Sequence, residues 1–293
     1  LLGLVGSEMC IRDRSIEVIF DTRITPIRRD LASTAYKAIV KRKKYVTAKL
    51  ATVKSAFSPL YSNKGSKLST QLLYGEECDI FETKNGWSWI QSRRDNYVGY
   101  TPSINLTRKT YKHNSKVISL RTVIYTKPDI KSATKGYLSF NSLVEVIKIK
   151  GKYSLIKNLG WCPSLDLVKV KSSKFNHIDL SKQYLDTPYL WGGRDSMGID
   201  CSGLIQNLHQ INNRPFPRDT DMQEIFVTNE VKYEKDLKAG DLVFWKGHVA
   251  MMIDNLNIIH ANAFHMKTAI EPLSTAKKRI LKSNGKIKKI GRL

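Results

Sequence analysis

The chain has 293 residues, 49 of them Lys or Arg and 26 Asp or Glu, for a formal charge of +23; chains of this length usually form two or three domains of about 100–150 residues. Hydrophobic residues make up 41%, enough for ordinary cores, and no window approaches the roughly 18 unbroken apolar residues of a membrane helix. The cysteines Cys10, Cys78, Cys162 and Cys201 are scattered, without C-x-x-C spacing, which excludes a disulfide-stapled miniprotein and a zinc ribbon.

The positive balance raises nucleic acid, an anionic polymer or acidic peptides as partners. However, the basic residues are mostly Lys and run along the whole chain, with the densest run at Lys41-Arg42-Lys43-Lys44. No recognition helix or RNA-binding aromatic pattern accompanies them, so a solvated Lys-rich surface is expected and nucleic acid is not. Residues 1–14 (LLGLVGSEMCIRDR) look like translated adapter DNA and are set apart from the fold. Nothing there reads as an export signal, so a cytoplasmic protein is expected. Residues 15–44 are expected to form a helical extension, in which Leu31, Ala35, Ala38 and Ile39 make one narrow apolar face after Pro26.

From Tyr45 the pattern changes to short alternating runs broken by Asn85-Gly86 and Asp95-Asn96, the mark of strands and tight turns. A self-match follows. VGYTPSINL around Gly99 and LGWCPSLDL around Gly160 share Gly, aromatic, Pro-Ser and Leu at an offset of 61. Such a repeat means two tandem all-β modules, placed at residues 45–108 and 109–170. Trp87, Trp89 and Trp161 serve either as ligand platforms or as core plugs.

Residues 177–293 mix helical and strand patterns, as one α+β domain does. After Asp200, the residues Leu204, Ile205, Leu208 and Ile211 form a helix face. Cys201 therefore falls at a helix N-terminus, where unpaired N–H groups and a nearby imidazolium lower a thiol pKa from about 8.5 to roughly 3.5–7.5. Those N–H groups also suit a developing oxyanion. Downstream, residues 241–246, 248–253 and 257–263 read as three strands, the last two joined at Asp254-Asn255. A hydrolytic thiol needs an imidazole to carry its proton and a third group to orient that ring. Cys201, His248 and His260 meet this need if the hairpin register puts both imidazoles on one face. Cys78 and Cys162 read as small buried hydrophobes, and His113, His177, His209 and His265 as ordinary polar residues.

The segments PYLWGG, DCSG, PRDTDMQ, GDLVFW, GHVAMMI and IIHA, in this order, resemble the NlpC/P60 cysteine peptidases with their papain-like core. The two upstream modules resemble bacterial SH3-like barrels, whose last strand carries Gly-Tyr/Trp-Val-Pro. This arrangement is similar to the subgroup that cleaves γ-D-glutamyl–diamino acid bonds in murein-derived peptides. The resemblance implies Cys201 as nucleophile, His248 as its base and His260 as the orienting third member, with no metal or cofactor. It further implies that Tyr189, Asp200 and Ser202 line the pocket for a free N-terminal L-Ala amine. Glu76 and Tyr97 are the nearest matches to residues with which the first SH3-like module closes that pocket. Met251-Met252, Ala250 and Asp219 depart from the family pattern. The other readings are a thiol amidase or acyltransferase on a related fold, and a wall-binding protein with an inert third domain. The order Cys before His disfavours the former, the intact triad the latter.

Overall fold

A computed structural model describes residues 20–293. The adapter-like segment 1–14 and Cys10 lie outside the described residues.

The expected helix over 26–44 does not form. Leu31–Ser33 is a strand, Thr34–Tyr36 a single 3-10 turn, and Leu31–Ser33 pairs in parallel with Lys44–Val46. Tertiary packing overrides a weak helical pattern. Leu31 is buried against Phe81, Trp89 and Val98, and Arg28 lies 4.8 Å over the Trp89 ring. The segment thus wraps the first all-β module, to which it is also tied by the Val98 N–H donating to the Arg23 carbonyl at 2.6 Å. Trp89 is thereby a core plug rather than an open platform.

That module is one antiparallel sheet in the order Leu68–Leu73, Phe57–Tyr61, Val98–Pro102, Trp87–Ser92, Glu77–Lys84, Lys49–Val53, Leu106–Thr107. The next segment repeats this order. Thr134–Ser139, Arg121–Tyr125, Gly160–Pro163, Tyr153–Ile156 and Val146–Lys150 form one sheet, and Leu143–Val144, Ser115–Val117 and Leu167–Lys169 a second. The repeated sequence pattern has a steric cause. A Cβ on Gly99 would stand 2.6 Å from the Tyr61 carbonyl oxygen, and one on Gly160 would stand 2.5 Å from that of Tyr125. In each module two chains cross too closely for a side chain. The following Pro-Ser opens a 3-10 turn at Ser103–Asn105 and again at Ser164–Asp166. Its serine bonds an equivalent strand serine, Ser88 at 2.9 Å and Ser154 at 2.8 Å. Cys78 and Cys162 fill the two barrel cores.

The third region centres on an antiparallel sheet in the order Asn229–Glu230, Lys289–Arg292, Leu242–Trp245, His248–Met252, Asn257–Asn262, Lys267–Pro272. Helices α1 (His177–Lys182), α2 (Cys201–Gln210), α3 (Thr220–Phe226) and α4 (Leu273–Ile280) surround it. Alternation along the strands divides the core. Leu242, Phe244, Val249 and Met251 pack against Leu204, Ile205 and Leu208 of α2. Val243, Trp245, Ala250 and Met252 face Leu273, Ala276 and Ile280 of α4. A sheet covered on both faces needs near-continuous apolar strands, which LVFW and VAMM supply. Met251, Met252 and Ala250 are therefore core packing. Among the described residues, no helix is long and apolar enough to cross a membrane.

Candidate active site

Asp200 caps α2: its Oδ1 accepts the Gly203 N–H at 2.7 Å and its carbonyl accepts that of Leu204. The cap leaves the Cys201 and Ser202 N–H groups uncommitted at the helix start. Cys201 is 6% exposed. Its sulfur lies 3.9 Å from Thr220 Oγ1, with the Val249 N–H beside it. Val249 directly follows His248, so the nucleophile candidate and the head of the histidine strand meet.

The hairpin register puts both imidazoles on one face. Met251 pairs with Ile259 and Met252 with Ile258; continued back, this places His260 opposite Ala250, diagonal to His248. The turn is held by Asp254, whose Oδ1 accepts the Leu256 and Asn257 N–H groups, both at 2.7 Å. His248 Nε2 and His260 Nδ1 are 2.8 Å apart, and His260 Nε2 is 2.8 Å from Glu271 Oε1. Arg279 pairs with the same Glu271 oxygen. A carboxylate can only accept, so His260 Nε2 carries a proton and Nδ1 is an acceptor. His248 must then donate through Nε2, which leaves Nδ1 as its basic atom.

Glu271 was not anticipated from the sequence. The signal lies in period-two alternation: His260 pairs with Ala269 and Ile258 with Glu271, so Glu271 is diagonal to His260 on the same face. His260, His265 and Glu271 bring ligand atoms within 4.8 Å of one another. Both His260 nitrogens are already engaged and Arg279 sits on Glu271, an arrangement that repels a cation.

The protonation states correct the expectation of a preformed ion pair. Burial pushes the Cys201 thiol up to about 11, aided by Asp200 and opposed by the Val249 N–H and the Thr220 hydroxyl. Burial, then His260 and Arg279, pushes His248 down to about 3. Apolar surroundings outweigh the helix terminus, so thiol and imidazole rest neutral.

A cavity of about 370 Å³ opens on Cys201. Its walls include Tyr189, Asp200 and Ser202 from the catalytic domain, Leu68, Ser69 and Tyr97 from the first module, and Arg23 from the N-terminal segment. Tyr189 is held at the edge strand by its N–H, which donates to the Met266 carbonyl at 2.9 Å. Asp200 faces the cleft but is largely committed. Arg218 pairs with both its oxygens at 2.9 and 2.7 Å, and the Gly192 N–H donates to Oδ2 at 2.8 Å. Arg218 also donates to Ser202 Oγ and, across the module boundary, to Thr70 Oγ1. Tyr97 donates its hydroxyl proton to Asp219 Oδ2 at 3.1 Å. Arg23 bonds Asp21, Asp219 and Asp221. Asp219 thus brings a cleft carboxylate where the family pattern has a small hydroxyl, and Trp191, 65% exposed, lies on the rim.

Glu76 does not reach this cleft, contrary to the expected pocket-closing role. Its side chain is fully buried between the first module and the catalytic domain. Arg194 holds it at 3.0 and 3.1 Å, Arg94 lies at 3.4 Å, and the Leu73 N–H donates at 3.1 Å. The reason is the Gly75 turn, which aims Glu76 inward at Arg194 rather than along the barrel end where Tyr97 sits.

Comparison with known proteins agrees with this architecture. Residues 186–282 match the NlpC/P60 family, and residues 60–106 match the bacterial dipeptidyl-peptidase Sh3 domain. Dipeptidyl-peptidase 6 of Lysinibacillus sphaericus is 36% identical over 221 residues, covering 67% of this chain and 81% of that protein. The γ-D-glutamyl-L-lysine dipeptidyl-peptidase of Bacillus cereus is 26% identical over 249 residues, 74% of each chain. In fold, the crystal structure of an NlpC/P60 family protein from Bacillus cereus superposes with a TM-score of 0.72 at 20% identity, covering 83% of this chain and 99% of that one. With the thiol at the head of α2, the paired histidines across the hairpin and these matches, the chain belongs to the NlpC/P60 family of cysteine peptidases.

Proposed function

We propose that this peptidase hydrolyses the γ-D-glutamyl–diamino acid bond of murein-derived peptides that carry a free N-terminal L-Ala. The observation that carries the reading is the wall that the first module builds across the Cys201 cleft, through Leu68, Ser69 and Tyr97. A cleft closed on one side admits a short N-terminal stretch of substrate and so releases a dipeptide. The relatives from Lysinibacillus sphaericus and Bacillus cereus are named dipeptidyl-peptidases, the latter γ-D-glutamyl-L-lysine dipeptidyl-peptidase.

In the reaction, Cys201 Sγ attacks the γ-carboxamide carbon and its proton passes to His248 Nδ1. The uncommitted N–H groups at the start of α2 receive the oxyanion. His248 then protonates the leaving α-amine of the diamino acid, and a thioester to D-Glu remains. Water, deprotonated by His248, attacks the thioester carbon and the thiol takes back its proton. His260 and Glu271 hold the tautomer that makes each transfer possible.

At the closed end, an ammonium meets Asp219, Asp221 and Asp200 together with the Tyr97 and Tyr189 hydroxyls. Arg218 meets both oxygens of Asp200, whereas Arg23 and Tyr97 meet only Oδ2 of Asp219, so we assign Asp219, through Oδ1, the larger share of amine recognition. The test is a comparison of L-Ala-γ-D-Glu-L-Lys with its N-acetyl form. Efficient cleavage of the free peptide and loss on acetylation supports the reading; equal rates refute it.

A further inference from the structure

The two all-β modules repeat each other strand for strand, and a face that is covered in the first is open in the second. In the first module, Glu82, Trp89 and Tyr100 stand opposite one another on three neighbouring strands. In the second, Lys148, Leu155 and Trp161 make the same row. The pairing register slips beside each row, at Phe81 and at Ile147. An edge-on aromatic pair flanks each, Tyr61 with Trp87 at 5.7 Å and Tyr125 with Tyr153 at 6.1 Å. Cross-strand partners share a face of the sheet, so the two rows are counterparts in space.

The chain's own N-terminal segment covers the first row. Leu31 is fully buried on Phe81, Trp89 and Val98, and Phe81 is only 6% exposed. Arg28 lies over the Trp89 ring, pairs with Glu82 at 2.8 Å and donates to the Tyr100 hydroxyl at 2.9 Å. Among the described residues, no segment lies on the second row in this way. Ile147, the counterpart of Phe81, is 55% exposed. Leu155, Leu159 and Trp161, the counterparts of Trp89, Val98 and Tyr100, are partly exposed.

The second row keeps the apolar character of the first and reverses its polarity. Where Glu82 receives Arg28, Lys148 offers an exposed ammonium, and the neighbouring carboxylate, Glu145, is taken by Lys157 at 2.9 Å. Where the Tyr100 hydroxyl accepts from Arg28, Trp161 has an indole N–H, which only donates. Both changes reject an arginine and suit a carboxylate. The wider field has the same sign, since residues 109–170 hold twelve Lys or Arg and three Asp or Glu.

We infer that the second module docks an extended acidic segment of another protein. The cover of the first module defines its form. An acidic side chain takes the place of Arg28, between Lys148 and Trp161. An aliphatic side chain three residues on takes the place of Leu31, over Ile147, Leu155 and Leu159. The catalytic cleft shares none of these residues, so the partner and the substrate are held at once.

The test is fluorescence anisotropy, with the full chain titrated into two labelled peptides: residues 25–34 of this chain, and the same segment with Arg28→Glu. The acidic peptide is expected to bind saturably and about tenfold or more tighter than the unaltered one, because a like charge at the row opposes binding. Lys148→Glu in the protein gives the row the charge of the first module and is expected to reverse that order. Ile147→Asp is expected to abolish binding. Lys278→Glu, the same charge change on exposed α4, is expected to leave it intact. The proposal fails if the acidic peptide does not bind, or if Lys278→Glu weakens it as much as Lys148→Glu does. It fails equally if poly-L-glutamate displaces the peptide at the same residue concentration, since charge alone then suffices. A chain that sediments as a dimer, and as a monomer in Ile147→Asp, would also overturn it, because a second copy then covers the row.

Discussion

His248 Nε2 and His260 Nδ1 lie 2.8 Å apart, on diagonal positions of one hairpin face. Because Glu271 holds the far nitrogen of His260 at 2.8 Å, one carboxylate fixes the proton on two rings in succession. Glu271→Gln removes the charge while keeping the size. The tautomer of His248 is then no longer imposed, and kcat is expected to fall by about 10²-fold with KM nearly unchanged. Glu271→Asp is expected to recover part of the loss, and the acid limb of the pH–rate profile to move in Glu271→Gln. Steady-state kinetics across pH checks this; a change confined to KM contradicts it.

Burial holds the Cys201 thiol up at about 11 and His248 down at about 3. Alkylation by iodoacetamide requires the thiolate. The substrate-free protein is therefore expected to react slowly at Cys201 at neutral pH, with a rate that climbs about tenfold per pH unit toward 11. Peptide mapping isolates the Cys201 signal. A plateau already present between about pH 4 and 6 would mean a thiolate–imidazolium pair.

Arg194 and Glu76 form a buried ion pair between the first module and the catalytic domain. Arg194→Met leaves the Glu76 charge without its main partner, a change that typically costs about 3–5 kcal/mol. Urea denaturation should show that loss, with KM for the free peptide unchanged provided the protein is assayed below its unfolding midpoint. A KM effect without a stability effect would return Glu76 to the substrate pocket.

Asp219 faces the cleft and accepts the Tyr97 hydroxyl. Asp219→Asn keeps that hydrogen bond but removes the charge offered to an ammonium. KM for L-Ala-γ-D-Glu-L-Lys is expected to rise about tenfold or more, since hydrogen bonds to charged groups are worth about 1.5–3 kcal/mol. Preference over the N-acetyl peptide should shrink accordingly. An unchanged preference would shift amine recognition back to Asp200.

The sequence carried the features with a short-range cause. Cys201 follows a capping Asp and precedes a clear apolar stripe, the two histidines lie in strands joined by an Asp-Asn turn, and the Gly-aromatic-x-Pro-Ser repeat encodes a close crossing of chains. Long-range contacts were hidden. The 26–44 segment has a helical pattern, yet Leu31 gains more by packing on Phe81 and Trp89. Glu76 and Tyr97 look alike as candidates, and only the path of the Gly75 turn separates a buried ion pair from a cleft wall. The sequence alone predicts a lowered thiol pKa at Cys201, because a helix N-terminus is legible there and the burial that outweighs it is not. Glu271 requires the register of two hairpins, which alternation alone does not fix.

The central claim, that Cys201 carries the acyl group of the substrate, is tested by mass spectrometry of the protein quenched in acid during turnover of L-Ala-γ-D-Glu-L-Lys. L-Ala-γ-D-Glu attached to the Cys201 peptide is expected in the unaltered protein, and in Cys201→Ala neither adduct nor product. Dipeptide release by Cys201→Ala at the unaltered rate would contradict it.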